Sequence, residues 1–268
     1  MALSAWLTTL PLWLSASLVV GSFVWFAVVI ILVMRRMIPP SALEPHNEVA
    51  GFVGDSIGVI YGVMLAFVVA SVWTEYGTAG DLAAHESTEA FALYRDLSVY
   101  PNRAEAEKGL AALRVYTLVM VHDEFPAMKA MKWDVGNPAY LSANKAAGEL
   151  WTAIRQIIPR NLHEQSLFSE ILKHANSLAQ DRVKLRLIAQ SDLPGVLWVV
   201  VVLGGFITLG ITAMMGHENV RQHVSLAVLL ALVIGGAIHV IVSLNFPFTG
   251  EFCINPDGYN SLIEQAGW

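Results

Sequence analysis

The chain has 268 residues, of which 55% are hydrophobic and 14% charged, with a formal net charge of −6 and a mean hydropathy of +0.55. Soluble domains carry about 25% charged residues, so this composition excludes a single water-soluble domain, and its hydrophobicity excludes disorder. One cysteine, Cys253, excludes a disulfide scaffold, and an acidic chain without a long basic run is not a nucleic-acid binder.

The charges are unevenly placed: 28 of the 38 lie between Glu75 and Asp192. Apolar ends therefore flank a polar middle. A membrane span needs about 20 mostly apolar residues, and four segments qualify: 11–34, 51–74, 193–215 and 224–245. The first is a retained span rather than a signal peptide, because no Lys or Arg precedes it and Arg35-Arg36 follows it. Trp6, Trp13, Trp73, Trp198 and Trp268 fall near span or chain ends, as interfacial aromatics do. Basic residues near the membrane do not decide orientation, with Arg35, Arg36 and Arg221 on one side against Arg182, Lys184 and Arg186 on the other. The dominance of the first helix tilts the reading toward an external middle domain. The chain thus reads as membrane helices in 1–74, an extramembrane domain in 75–192, membrane helices in 193–245 and a tail in 246–268.

The middle reads as helix throughout, in segments 75–99, 104–125, 140–158 and 162–190. Leu110, Leu113, Tyr116 and Val121 recur at helical spacing, as do Ile171, Leu172, Ala175 and Leu178. Asn102, Asn137 and Asn161 stand where N-caps belong. Strand signals are missing, so the fold class is all-α: four transmembrane helices with a helical insert between the second and third. The simplest arrangement is a bundle continuous with both of those spans.

Several motifs together resemble one family. HNEVAG at 46–51 precedes GVIYGVMLAFVVASVW at 58–73, ESTEAFALYRDLSVYP follows at 86–101, LPGVLW lies at 193–198, and NFPFTGE lies at 245–251. This order resembles the bacterial bestrophin-like domain family, formerly a domain of unknown function and distantly similar to bestrophin anion channels. The resemblance implies a pentamer whose second membrane helix lines a pore, chloride as a permeant ion, a bacterial inner membrane location and a cytoplasmic insert. That last implication opposes the charge-based tilt. The family's calcium site uses a run of carboxylates after the Pro-Phe-Gly turn. Here only Glu251 and then Asp257 follow, so no calcium clasp is expected.

Within the second span, Gly54, Gly58, Gly62, Ala66 and Ala70 recur every four residues. Small residues at this spacing let helix backbones approach closely in lipid, either within the chain or between subunits. A displaced face carries Ser56, Ile60, Met64, Phe67 and Ser71. Bulky apolar residues flanked by hydroxyls suit packing or lipid contact better than a constriction that gates by dewetting; only the resemblance lifts the pore reading. One helix cannot enclose a pore, so a channel here must be a homo-oligomer. Asp55 near the span's start suits a solvated helix end, and His239 in the fourth span suits either a hydrogen-bonded packing role or a proton or ion site.

His85 and Glu89 form an i, i+4 pair, which suits a polar helix face better than a shared metal. Glu86 or Glu89 is expected to pair with Arg95 or Arg182 across the bundle. No nucleotide loop or nucleophile elbow occurs, so no enzyme activity, cofactor or metal is expected. The residues leave two functions open: an ion channel, and a non-conducting membrane scaffold or signalling protein whose helical domain binds a partner.

Overall fold

The computed structural model describes residues 2–132 and 136–268. Its helices are α1 (Ala2–Thr8), α2 (Leu12–Met37), α3 (Pro40–Leu43), α4 (Asn47–Val99), α5 (Arg103–Val119), α6 (Phe125–Lys129), α7 (Pro138–Arg155), α8 (Leu162–Gln190), α9 (Gly195–Ala213), α10 (Val220–Leu244) and α11 (Asp257–Ala266). Among the described residues there is no strand. Four helical stretches, Leu12–Met37, Pro40–Val99, Gly195–Ala213 and Val220–Leu244, are long and apolar enough to cross a membrane. The chain divides into a membrane unit, Met1–Glu75 with Asp192–Phe246, and a polar unit, Tyr76–Ser191 with Pro247–Trp268.

Helices are the natural solution in lipid, where every backbone N–H and C=O must be satisfied within its own segment. In the membrane unit α2 buries Val19, Phe23, Ala27 and Ile31, one residue per turn, in contact with α9 and α10. Close approach depends on glycine. A Cβ at Gly235 would stand 2.9 Å from the Val20 backbone, and one at Gly205 would stand 2.9 Å from the Phe23 ring. Phe23 also stacks on Phe206 at 4.7 Å. Helix α4 joins through Tyr61, whose hydroxyl donates to the Val201 carbonyl at 2.9 Å. Its ring covers Gly204, where a Cβ would meet it at 2.5 Å.

The loops of this unit close by polar contacts. Asn47 and Gly216 exchange two hydrogen bonds, of 2.8 and 2.7 Å. Arg35 donates to the carbonyls of His217 and Glu218. Asn219, the N-cap of α10, accepts from the backbone N–H groups of Arg221 and Gln222. Asn245 accepts from the Leu193 N–H and donates to Asp192.

The polar unit packs the later part of α4, α5, α7, α8 and α11 around a core that includes Leu93, Leu97, Leu113, Tyr116, Ile154, Ile171, Leu185 and Tyr259. Asn137 and Asn161 cap α7 and α8 through their side chains, whereas the Asn102 side chain makes no such bond. Three features depart from the sequence reading. The helix expected over 104–125 passes into a π-helical turn, Met120–Glu124, before α6. Pro126 lacks the N–H that would continue the regular ladder, which accounts for the local re-registration. The polar segment is continuous with the second span, as expected, but not with the third. Helix α8 stops at Gln190, and Pro194 precedes α9, holding its neighbour out of the helical region. Finally, residues 257–266 form α11, which buries Tyr259 and Leu262.

The Gly204–Tyr61 contact has a direct test. Gly204→Ala is expected to destabilise the detergent-solubilised protein by about 1–3 kcal/mol through overpacking. Gly210→Ala, on the same helix with nothing within 4 Å of its Cβ position, should leave stability unchanged or raise it slightly. Paired thermal unfolding curves check this.

Candidate functional site

At about 100° per residue, the membrane part of α4 presents three faces. Tyr61, Val68 and Val72 lie on one face and are buried in the membrane unit. Ile60, Met64 and Phe67 lie on one flank, with 62%, 38% and 73% of their surface exposed. Ser56 and Ser71 are also exposed; the Ser56 hydroxyl donates back to the Phe52 carbonyl.

The small-residue stripe drifts around the helix because its spacing of four exceeds the helical repeat of 3.6. Gly54 starts near the buried face, where a Cβ would stand 3.0 Å from Ile211 of α9. Gly58 and Gly62 have nothing within 4 Å of their Cβ positions. Gly62, Ala66 and Ala70 end on the flank away from Phe67, all exposed. They line a shallow groove of about 420 Å³ with Leu65, Trp73 and Ala237. On the opposite side, Ile57, Ile60 and Met64 line a wholly apolar groove of about 290 Å³ with Val199, Leu203 and Ile207 of α9.

The charged candidates divide. Asp55 is exposed. The His239 ring lies 3.4 Å from the Ser243 hydroxyl, and its buried Nδ1 has no hydrogen-bond partner among the described residues. Glu86, Glu89 and Arg95 belong to the polar unit, where among the described residues neither glutamate forms a direct ion pair with Arg95 or Arg182, although the Arg182 charge acts on Glu86. Glu89 instead lies 2.7 Å from His174 and 3.6 Å from His85. His85 in turn bonds Asp181, and His174 also approaches Asp96, which Arg95 pairs at 3.1 Å. The result is a ladder of alternating imidazoles and carboxylates between α4 and α8. Among the described residues no group of three or more His, Cys, Asp or Glu side chains is arranged to hold a metal ion.

Glu86 is almost completely buried and accepts a hydrogen bond from the Tyr116 hydroxyl at 2.9 Å. Its second oxygen and the Tyr259 hydroxyl make no hydrogen bond of good geometry among the described residues, although Tyr259 lies close enough to act on the carboxyl. Burial, and then the nearby Glu124 charge, push the Glu86 carboxyl up to about 7, against the opposing pull of Tyr116, Tyr259 and Arg182. Burial likewise raises Tyr116 and Tyr259 well above the usual tyrosine range.

Arg182 pairs with Glu124 at 3.0 Å, and Arg186 binds the other oxygen of the same carboxylate. Burial works against the Arg182 charge, but Glu124, Tyr116 and Glu86 together outweigh it and the guanidinium is held firmly protonated. Sequence reasoning missed Glu124, Tyr116, Arg186 and Tyr259 as one network. Its members lie on four separate segments, and only Tyr116 stands on an apolar stripe that points it inward.

Because folding raises the Glu86 pKa, the folded state holds this proton more tightly than the unfolded chain. Stability should therefore fall as pH rises from about 4.5 to about 7, by up to roughly 3 kcal/mol. Glu86→Gln should remove that slope and be more stable than the parent at pH 8. Melting temperatures of both proteins across this pH range give the check.

The comparisons with known proteins point one way. A family model described as the bestrophin-like domain matches residues 21–259. No curated protein matches the chain. Two crystal structures of point variants of a bacterial bestrophin homologue from Klebsiella pneumoniae are similar. One is 14% identical over 93% of this chain and 98% of that chain, with a TM-score of 0.66. The other is 13% identical over 94% and 99%, with a TM-score of 0.65. A crystal structure of a point variant described as a membrane protein is 14% identical over 92% and 96%, with a TM-score of 0.66. At these identities the structural likeness speaks for the fold.

Proposed function

The chain belongs to the bestrophin-like domain family, and we propose that it works as one subunit of a homo-oligomeric ion channel whose pore is lined by α4. The observation that carries this reading is the division of faces on α4. Tyr61, Val68 and Val72 meet the chain's own helices, while Ile60, Met64 and Phe67 are left uncovered on a neighbouring face. Repeated around a symmetry axis, that face forms stacked apolar rings, and rings of this kind gate by dewetting. Ser56 and Ser71 then stand at either end of the rings. The second exposed flank, Gly62, Ala66 and Ala70, offers the close approach that a neighbouring subunit needs in lipid.

Family resemblance supports a pentamer, an anionic permeant ion such as chloride, and a bacterial inner membrane location. The buried carboxylates of the polar unit take no part in permeation in this reading.

Purified protein reconstituted in planar bilayers should pass current, with a reversal potential in a potassium chloride gradient close to that of chloride. Phe67→Ala and Ile60→Ala should each raise that current by about tenfold or more, because a wider, less apolar constriction dewets less readily. A verified oligomer that passes no current, or currents indifferent to both substitutions, overturns the proposal and favours a non-conducting scaffold.

A further inference from the structure

Between α5, α7 and α8 the polar unit holds a partly open cavity of about 220 Å³ that plays no part in the proposed permeation path. Its wall is largely apolar, with Leu150, Trp151, Ile154 and Leu178 among the lining residues. Arg182, Arg186 and Asn144 line it as well.

The charges at that wall do not balance. Two guanidiniums share one carboxylate: the Nε groups of Arg182 and Arg186 donate to opposite oxygens of Glu124. The Asn144 side-chain oxygen accepts from Arg186 at 2.8 Å and from Arg182 at 3.4 Å but brings no charge. Arg182 is about nine-tenths buried, and Arg186 is nearly as enclosed. The Arg186 guanidinium lies over the Tyr140 ring at 4.4 Å, which fixes its plane. Its Nη2 is buried and has no hydrogen-bond partner among the described residues. An unused buried N–H group on a charged side chain costs more free energy than an ordinary unmade hydrogen bond. It is relieved most effectively by an anion, since charge-assisted bonds are the strong ones. Glu86, the other nearby carboxyl, accepts from Tyr116 and acts on Arg182.

We propose that this cavity is a binding site for a small organic anion, whose carboxylate meets Arg186 and whose apolar or aromatic body packs beside Trp151. Inorganic anions would match the charge and leave the apolar wall unfilled. Neutral apolar molecules would fill the wall and leave the guanidinium unmatched. The volume limits the ligand to a single ring or a short chain, below the usual size of drug-like sites. This inference does not depend on conduction, since its readout is binding.

The test uses the full chain in lipid nanodiscs, with benzoate as the probe and titration calorimetry as the measurement. Benzoate should bind saturably at one site per chain. Benzyl alcohol, its neutral counterpart, should bind about tenfold or more weakly, and phosphate should neither bind there nor compete. Arg186→Gln should weaken benzoate by about tenfold or more. Ala179→Leu fills the cavity from a partly exposed helix position without touching the Glu124 pairs, so it should abolish binding in a protein of unchanged melting temperature. If Arg186→Gln does not fold, Ala179→Leu decides the matter. Absence of saturable benzoate binding, or binding indifferent to Ala179→Leu, overturns the site. Benzyl alcohol binding as well as benzoate overturns its anionic character, and equal competition by phosphate overturns its organic character.

Discussion

Lipid tails are as apolar as the side chains they touch, so membrane helices are held together by close packing rather than by escape from water. That constraint governs the membrane unit. Gly204, Gly205 and Gly235 let Tyr61, Phe23 and Val20 approach to distances that no other residue allows. Once Tyr61 is seated over Gly204 and bonded to the Val201 carbonyl, the rotation of α4 about its axis is set. The positions of Ile60, Met64 and Phe67 on an uncovered face follow from that seating. The feature most relevant to the proposed function is thus a consequence of a glycine on another helix.

The polar unit is governed by a different balance. It folds around a conventional apolar core yet buries Glu86, Glu124, Asp181 and Arg182 within it. Buried charges are costly unless paired and fully bonded. Glu124 meets that condition with two arginines. Glu86 meets it in part, by a hydrogen bond from Tyr116 and by retaining its proton to unusually high pH. Arg186 meets it least well, with a buried donor unused.

How much could be read in advance follows from the range of each cause. The four spans were legible because freedom from charge is a local property of 51–74 or 193–215. The caps at Asn137 and Asn161 were legible because they act within three residues. The π-helical turn before Pro126 left a local sign as well, the proline itself, which went unread. By contrast, the partner of Tyr61 lies some 140 positions away in the chain. A separation of 169 positions likewise hides the bonds between Asn47 and Gly216. Glu86 and Glu89 are three residues apart, about one turn, yet one is buried against tyrosines and the other meets His174. Nothing in the string HESTE distinguishes them, because the difference comes from α5, α8 and α11. Residue types and spacing distinguish α4 from the other spans; its rotation is set by three-dimensional packing.

The proposed channel rests on the claim that the uncovered face of α4 is turned toward a symmetry axis. An electron cryomicroscopy reconstruction of the detergent- or nanodisc-embedded protein tests that most directly. The expected result is a closed ring of identical subunits with α4 innermost and Ile60, Met64 and Phe67 facing an unobstructed central passage. A monomer, or a ring with α4 at its periphery or lipid filling its axis, would contradict it.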